Sequence, residues 1–410
     1  MATLARPRQE PGRPLQEPGT GGRELVGLIS VSHALQHLYV AVLPLTYPLV
    51  VAEFHISYTA LGVVLGVVGA VGGFLQGAAG FYQRVSARLV LTLQNLLLAA
   101  NTVLLGVAPT YPVFGLGQFL GGVISSPQHP VGNAVLTRRF PERGGTVLGW
   151  HTTGGNVGTL VIPLVASLII VRWGWRAALL AVAVPIAIGG VLVAIRLREG
   201  APAAGDGGRG AGSIGLRAAV LRRSTLTIIA AGTVAAGGRG LGAVNAFVPA
   251  YLRGGLGLAQ VTVGLIFTVI LASSVVGPIV AGQLADRWGR RLVAIVAYLV
   301  GGAALGLFGM TGASIPALLV LGVFVGAFAY AESPLLQALF ADAIEGAPRQ
   351  AAFGVYFAVS YGAGSLWVIL LGWMIDHLGF PAAFWTMAAS FVAAAAVLLL
   401  ADRPRPRARV

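Results

Sequence analysis

Apolar residues run in blocks of about 20 from residue 26 to residue 400, and short polar breaks separate them. The segments 89–107 and 381–400 hold no charged residue. A helix rises 1.5 Å per residue, so a block of that length crosses the ~30 Å hydrocarbon core of a bilayer. A helix is also the form in which a lipid-exposed segment satisfies its own backbone. The pattern predicts twelve spans, over 26–51, 58–82, 89–107, 112–136, 145–170, 176–195, 225–251, 260–284, 292–311, 315–340, 351–375 and 381–400. Residues 1–24, rich in Pro, Gly and Arg, read as a disordered tail. The apolar stretch after them is too long for a removable leader. The interval 196–224, rich in Gly and Arg, reads as a central loop, and 401–410 as a basic tail.

The blocks also repeat. At a shift of 202 residues Leu61-Gly62 matches Val263-Gly264, Gly80 matches Gly282 and Arg88 matches Arg290. Ser126-Pro127 matches Ser333-Pro334, and Trp173-Gly174-Trp175-Arg176-Ala177-Ala178 matches Leu378-Gly379-Phe380-Pro381-Ala382-Ala383. The expected fold is therefore an all-α membrane protein whose twelve transmembrane helices form two pseudo-symmetric six-helix bundles, 25–195 and 225–400. Such a repeat implies a midplane site between the bundles and alternating access by rocking.

Composition agrees with lipid as the solvent, with 56% hydrophobic and 10% charged residues. The 59 Gly and 22 Pro point to closely packed, kinked helices. Cysteine is absent, which excludes disulfides and thiol chemistry. Lysine is absent too, so all 27 basic residues are Arg. Of these, 23 fall on the side that holds the tails and the central loop; Arg172, Arg176 and Arg253 fall on the other, and Arg239 inside a span. Positive charge stays cytoplasmic, which places both termini inside a cytoplasmic (inner) membrane. The net charge of +14 is scattered over short loops and tails, so no nucleic-acid partner is expected.

The segment Gly282-Gln283-Leu284-Ala285-Asp286-Arg287-Trp288-Gly289-Arg290-Arg291 resembles the signature loop of the major facilitator superfamily. The likeness spans roughly residues 26–400. It implies a conformational latch in which Asp286 meets arginines and helix N-termini; a merely solvated basic loop is the plainer alternative. The matching N-half loop, Gly80 to Arg88, has Arg84 where the signature has Asp, so an uneven pair of latches is expected. Two N-half blocks are similar to the fosmidomycin-resistance branch, which is associated with proton-coupled export of phosphonate antibiotics. They are Ser30 to His37 with Tyr47-Pro48, Glu53-Phe54 and Leu61-Gly62, and Ser125 to Pro130 with Gly154-Gly155-Asn156, Gly158 and Pro163. Departures from that branch are Gln36-His37 for Asn-Asp and Val131 for Glu. Gln118 stands where many proton-coupled members carry Arg, and the fifth-span Gly-Pro motif is altered around Pro163. No acidic residue lies between Glu53 and Glu142, so no N-half carboxylate couples protons.

Ionisable residues inside a span are candidate functional sites because burying charge in lipid is costly. Arg239 lies mid-way along the seventh span and Glu332 in the tenth. The resemblance places both in a cavity lined by the first, fourth, seventh and tenth spans. Two readings stand open. Either Arg239 binds an anion and Glu332 carries the coupled proton, or the two form a structural ion pair. His33 and His37, four residues apart, share one helix face; His37 can relay protons in place of the missing Asp, or pack. Their spacing also suits a metal, but no carboxylate or thiol lies near, so no metal or other cofactor is expected. Gln118, Ser125, His129 and Asn133 form one polar stripe and Thr152, Asn156 and Thr159 another; such stripes line a wet cavity or bond helices together. Gln36 and Tyr361 are further cavity candidates, with Trp367 ranked below. His55, His377 and Asp376 fall in outer loops and are expected to do nothing specific.

With no lysine, no ATP-binding Gly-x4-Gly-Lys loop exists. No catalytic triad is visible either, so the chain is not expected to be an enzyme. The expected function is secondary active transport of a small organic solute: proton-coupled export of an anionic or phosphonate-like compound. A multidrug exporter of lipophilic cations, a facilitator or importer of an anionic metabolite, and a non-transporting receptor are the alternatives. The expected partners are a small substrate, protons and the bilayer, with no obligate protein partner.

Overall fold

The computed structural model describes residues 21–77, 85–140, 143–198 and 215–400. Both outer tails, the N-half loop from Gly80 to Arg84 and most of the central loop lie outside them. Nine helices among the described residues are long and apolar enough to cross a membrane. Two of the nine are double passes, and the broken pair Tyr111–Ser125 and Gln128–Arg139 stands outside the nine. The helix Gly144–Arg196 has 53 residues and would be about 80 Å long if straight. It folds back at Gly174. Arg176 and Trp175 reach Glu53 at the end of the first helix, whereas Arg196 pairs with Glu24 at its start. Likewise the helix Leu366–Leu399 turns back at Gly379.

We number the spans α1 (Gly22–Glu53), α2 (Tyr58–Gly77), α3 (Ala87–Gly106), α4 (Tyr111–Ser125 and Gln128–Arg139), α5 and α6 (Gly144–Arg196, before and after Gly174). The second half has α7 (Arg223–Gly255), α8 (Gln260–Trp288), α9 (Arg290–Met310), α10 (Ile315–Ala343), α11 and α12 (Ala351–Leu399, before and after Gly379). The interval expected to be wholly loop contains a short helix, Leu216–Val220.

The sequence repeat reappears in the backbone. Gly174 has φ 85°, ψ 167° and Gly379 has φ 81°, ψ 169°, a region essentially closed to other residues. The matched Ser-Pro pairs mark matched helix breaks. α4 is interrupted at Ser126-Pro127, and α10 at Tyr330-Ala331, one turn before Pro334. Proline supplies no N–H and its ring clashes with the carbonyl four residues back, which is Ser126 for Pro130 and Tyr330 for Pro334, where the two breaks sit.

On the face opposite the termini the halves are sewn together. Both glycines of the first repeat pair sit on that seam. A Cβ on Gly62 would lie 2.6 Å from the Val368 carbonyl oxygen of α11, and one on Gly264 would lie 2.4 Å from Ser167 Oγ of α5. Beside them Gln260 donates to Ser167 at 3.5 Å. Asp376 of α11 accepts from the backbone N–H groups of Tyr58 (2.9 Å) and Thr59 (2.8 Å) and from the Thr59 hydroxyl (2.6 Å). An expected bystander thus caps α2 across the molecular divide. The carboxylate at a helix N-terminus satisfies N–H groups that have no partner within the helix.

Candidate functional site

Between the halves lies a cavity of about 260 Å³, walled by Tyr39, Tyr47, Gln118, Arg239, Asn245 and Tyr361 among others. It is built from α1, α2, α4, α7 and α11. The resemblance placed α10 on this wall, but α2 and α11 line it, and α10 stands behind Arg239. α7 is broken at this depth: a regular helix ends at Ala235, three glycines flank Arg239, and a π-helical turn follows at Gly240–Val244. α11 is irregular beside it, with a π turn at Ala358–Gly362 and a 3₁₀ turn at Ala363–Ser365. Such interruptions free the backbone from its ladder and are tolerated where they line a cavity.

Arg239 fills that interruption. It is 5% exposed, and Glu332 behind it is 1% exposed. Arg239 Nε donates to Glu332 Oε1 at 2.5 Å. Nη2 donates to the Gly232 carbonyl at 2.7 Å and Nη1 to the Ser360 carbonyl at 3.3 Å. The guanidinium carbon lies 4.2 Å from the centre of the Tyr361 ring, a cation–π distance. Glu332 also accepts from Tyr298 Oη at 3.2 Å, a partner the sequence did not single out. Tyr361 in turn shares a hydrogen bond with Ser333, and Gln337 donates to Ser333 at 2.9 Å. All three edges of the arginine fork are engaged.

The N-half polar stripes do not share one role. Gln118 lines the cavity, where Tyr47 Oη donates to its Oε1 at 3.4 Å while its amide nitrogen has no partner. Gln36 donates to the Ser125 carbonyl at 2.8 Å and ties α1 to α4. His37 lies against α5, its Nδ1 2.8 Å from the Thr159 hydroxyl. Asn133 is exposed and Asn156 half-buried. Trp367 donates to the Thr233 carbonyl at 3.0 Å, a tie between α11 and α7. A polar zipper of Ser32, Gln94, Asn95 and Gln128 joins α1, α3 and α4.

Four histidines meet between α1, α4 and α5. The His33 ring centre is 4.5 Å from His37, 4.7 Å from His129 and 4.2 Å from His151. The expectation of no metal rested on the missing carboxylate or thiol near the His33/His37 pair and left His151 out. Its only signal was an apolar helix carrying one more imidazole.

The signature segment is helical through Trp288, leaving Gly289, at φ 91°, as the whole of the loop. Gly282 is half-buried, and Asp286 and Arg287 are exposed. Asp286 has no hydrogen-bond partner among the described residues. Arg290 pairs with Asp342 of α10 at 2.7 Å instead, and Arg291 donates to the Leu399 carbonyl at 2.9 Å. These ties join α9 to α10 and α12 within one half.

A sequence model of the Major Facilitator Superfamily matches residues 29–241 and 228–410. The fosmidomycin resistance protein of Escherichia coli (strain K12) is 26% identical over 368 residues, 86% of each chain. A crystal structure of the nucleoside transporter NupG superposes with a TM-score of 0.75 at 15% identity, covering 92% of this chain and 98% of that one. A D-xylose-proton symporter superposes with a TM-score of 0.72 at 16% identity, covering 93% and 98%.

Proposed function

The chain belongs to the Major Facilitator Superfamily, a family of membrane transporters, and on that premise we propose that it moves a small organic anion across the membrane, with proton binding at Glu332 governing an anion site at Arg239. The observation that carries this reading is the buried Arg239–Glu332 pair, whose arginine lines the cavity while its carboxylate stands behind it. Arginine keeps its charge, and its fork suits carboxylate or phosphonate oxygens. While Glu332 is ionised it neutralises the arginine through Nε. Protonation removes that countercharge and leaves the positive charge of Arg239 to a substrate anion in the cavity. Anion and proton therefore favour each other's binding, and linkage makes the effect reciprocal.

Arginine placement makes the face with the termini cytoplasmic. The seam at Asp376, Gly62 and Gly264 then lies on the outer side. Co-binding carries the anion in the direction protons flow. Exchange of an exported anion for protons is the second reading, favoured by the likeness to the fosmidomycin resistance protein. Lipophilic cations suit the cavity less, because its charged wall residue is Arg239.

The test is thermal stabilisation of purified protein by fosmidomycin, simple phosphonates and dicarboxylates across a pH series. A ligand at 100 times its Kd adds about 2.7 kcal/mol. For the wild type, stabilisation grows as pH falls. Glu332→Gln, which mimics the protonated form, binds at every pH, and Arg239→Ala loses the response. A Glu332→Gln variant with wild-type pH dependence, or an Arg239→Ala variant that binds normally, overturns the reading. In proteoliposomes, protons that move with the anion select co-transport, and protons that move against it select export by exchange.

A further inference from the structure

The geometry points to a transition-metal site made by His33 of α1, His129 of α4 and His151 of α5, filled by a borderline divalent ion of the Zn²⁺, Co²⁺ and Ni²⁺ class. One nitrogen from each ring lies within 4.8 Å of the other two. Tetrahedral Zn²⁺ with bonds of 2.0–2.1 Å sets its ligand nitrogens about 3.4 Å apart, so the rings close in by about an ångström and His151, stacked on His33 at an interplanar angle of 21°, rotates to bring its lone pair onto the ion.

Three further observations single this cluster out. The buried rings, His33 at 3% and His151 at 2% exposure, present nitrogens with no hydrogen-bond partner: Nε2 of His33 and both nitrogens of His151. Buried polar atoms are normally satisfied, and an ion supplies what these lack. His33 Nδ1 lies 2.9 Å from the His151 carbonyl oxygen, which can only accept. That bond fixes the proton on Nδ1 and leaves the Nε2 lone pair facing the cluster, the outer-partner arrangement of metal-bound histidines. Glycines make the room. A Cβ on Gly132 would lie 3.2 Å from the His151 ring, and one on Gly155 would lie 2.6 Å from the His33 ring.

Ligand chemistry selects the ion. Three imidazoles without a carboxylate suit Zn²⁺, Co²⁺ and Ni²⁺ and are poor for Mg²⁺ and Ca²⁺. His129 is exposed, so the fourth position is not closed by a protein ligand. His37 is turned to Thr159 and completes the ring of imidazoles from the side. A bound ion staples α1, α4 and α5 within the N half, away from Arg239 and Glu332. The site is independent of the anion reading.

The experiment is Co²⁺ and Zn²⁺ titration of full-length, chelator-stripped protein purified without a polyhistidine tag. The readouts are the visible Co²⁺ absorption of low-coordinate nitrogen ligation and calorimetric stoichiometry. One equivalent binds to wild type and to a His55→Ala/His377→Ala control. His129→Ala and His151→Gln each weaken binding by about 100-fold or more, since loss of even an outer partner costs ~10–100-fold. Anion stabilisation measured on the same wild-type and histidine-variant samples separates this outcome from failure of the anion site. His129 is exposed, so its variant keeps the fold, checked by metal-free melting. Absence of saturable binding, or binding that survives His129→Ala, overturns the site.

Discussion

A guanidinium buried at mid-membrane persists because four groups hold it: the Glu332 carboxylate, two backbone carbonyls and the Tyr361 ring. Removing one member of a buried pair strands the other charge and typically costs 3–5 kcal/mol. Arg239→Leu is therefore expected to lower the thermal midpoint sharply, and the double variant Arg239→Leu/Glu332→Leu to recover a large part of the loss. Melting curves in detergent decide it; a double variant no more stable than the single shows that the pair is not coupled. The partners of this residue illustrate what one-dimensional reading reaches. Arg239 and Glu332 stood out because charges inside apolar blocks are rare. Tyr298 and the Ser360 carbonyl did not, since neither is unusual where it stands in the chain.

Among the helices, the informative features are the breaks. The turn at Gly379 uses φ 81°, ψ 169°, where a side chain costs of order 1–3 kcal/mol. Gly379→Ala and Gly174→Ala should each destabilise by about that amount, while Gly149→Ala, whose added Cβ meets nothing within 4 Å, should be nearly neutral. Thermal midpoints of the three variants test this, and equal midpoints would refute it. The repeat alignment had already paired these two glycines, so their matched conformations were legible in advance. The π turns of α7 and α11 were not. Nothing in Gly237-Gly238-Arg239-Gly240 says which carbonyls leave the ladder, because that depends on what the neighbouring helix offers them.

At the scale of the whole molecule, one exposed carboxylate bridges the halves. Asp376→Asn keeps the shape but weakens the charge-assisted cap on α2, and losses at helix caps run about 0.5–2 kcal/mol. Even 1 kcal/mol changes a two-state ratio about fivefold. The variant should open the face opposite the termini more often. Because the chain has no cysteine, single cysteines placed along α2 and α11 report this opening by labelling rate without background. Unchanged labelling would show that the seam is held elsewhere. Replacing Gly62 with Val adds bulk 2.6 Å from a carbonyl oxygen and should push the equilibrium the same way, by the same assay.

The sequence by itself determined the medium, the helical architecture, the internal symmetry and the two charges inside the bundle. Those properties follow from local facts: block length against bilayer thickness, repeated motifs, and the cost of charge in lipid. Tertiary structure alone decided which side chains meet. It brought His151 to His33 across 118 residues, set Asp376 on the end of α2 across 318, and gave Arg290 to Asp342 while leaving Asp286 exposed. Each contact joins helices distant in the chain. Helix packing fixes such meetings through the rotation and depth of whole helices, and no periodicity within a single helix encodes them.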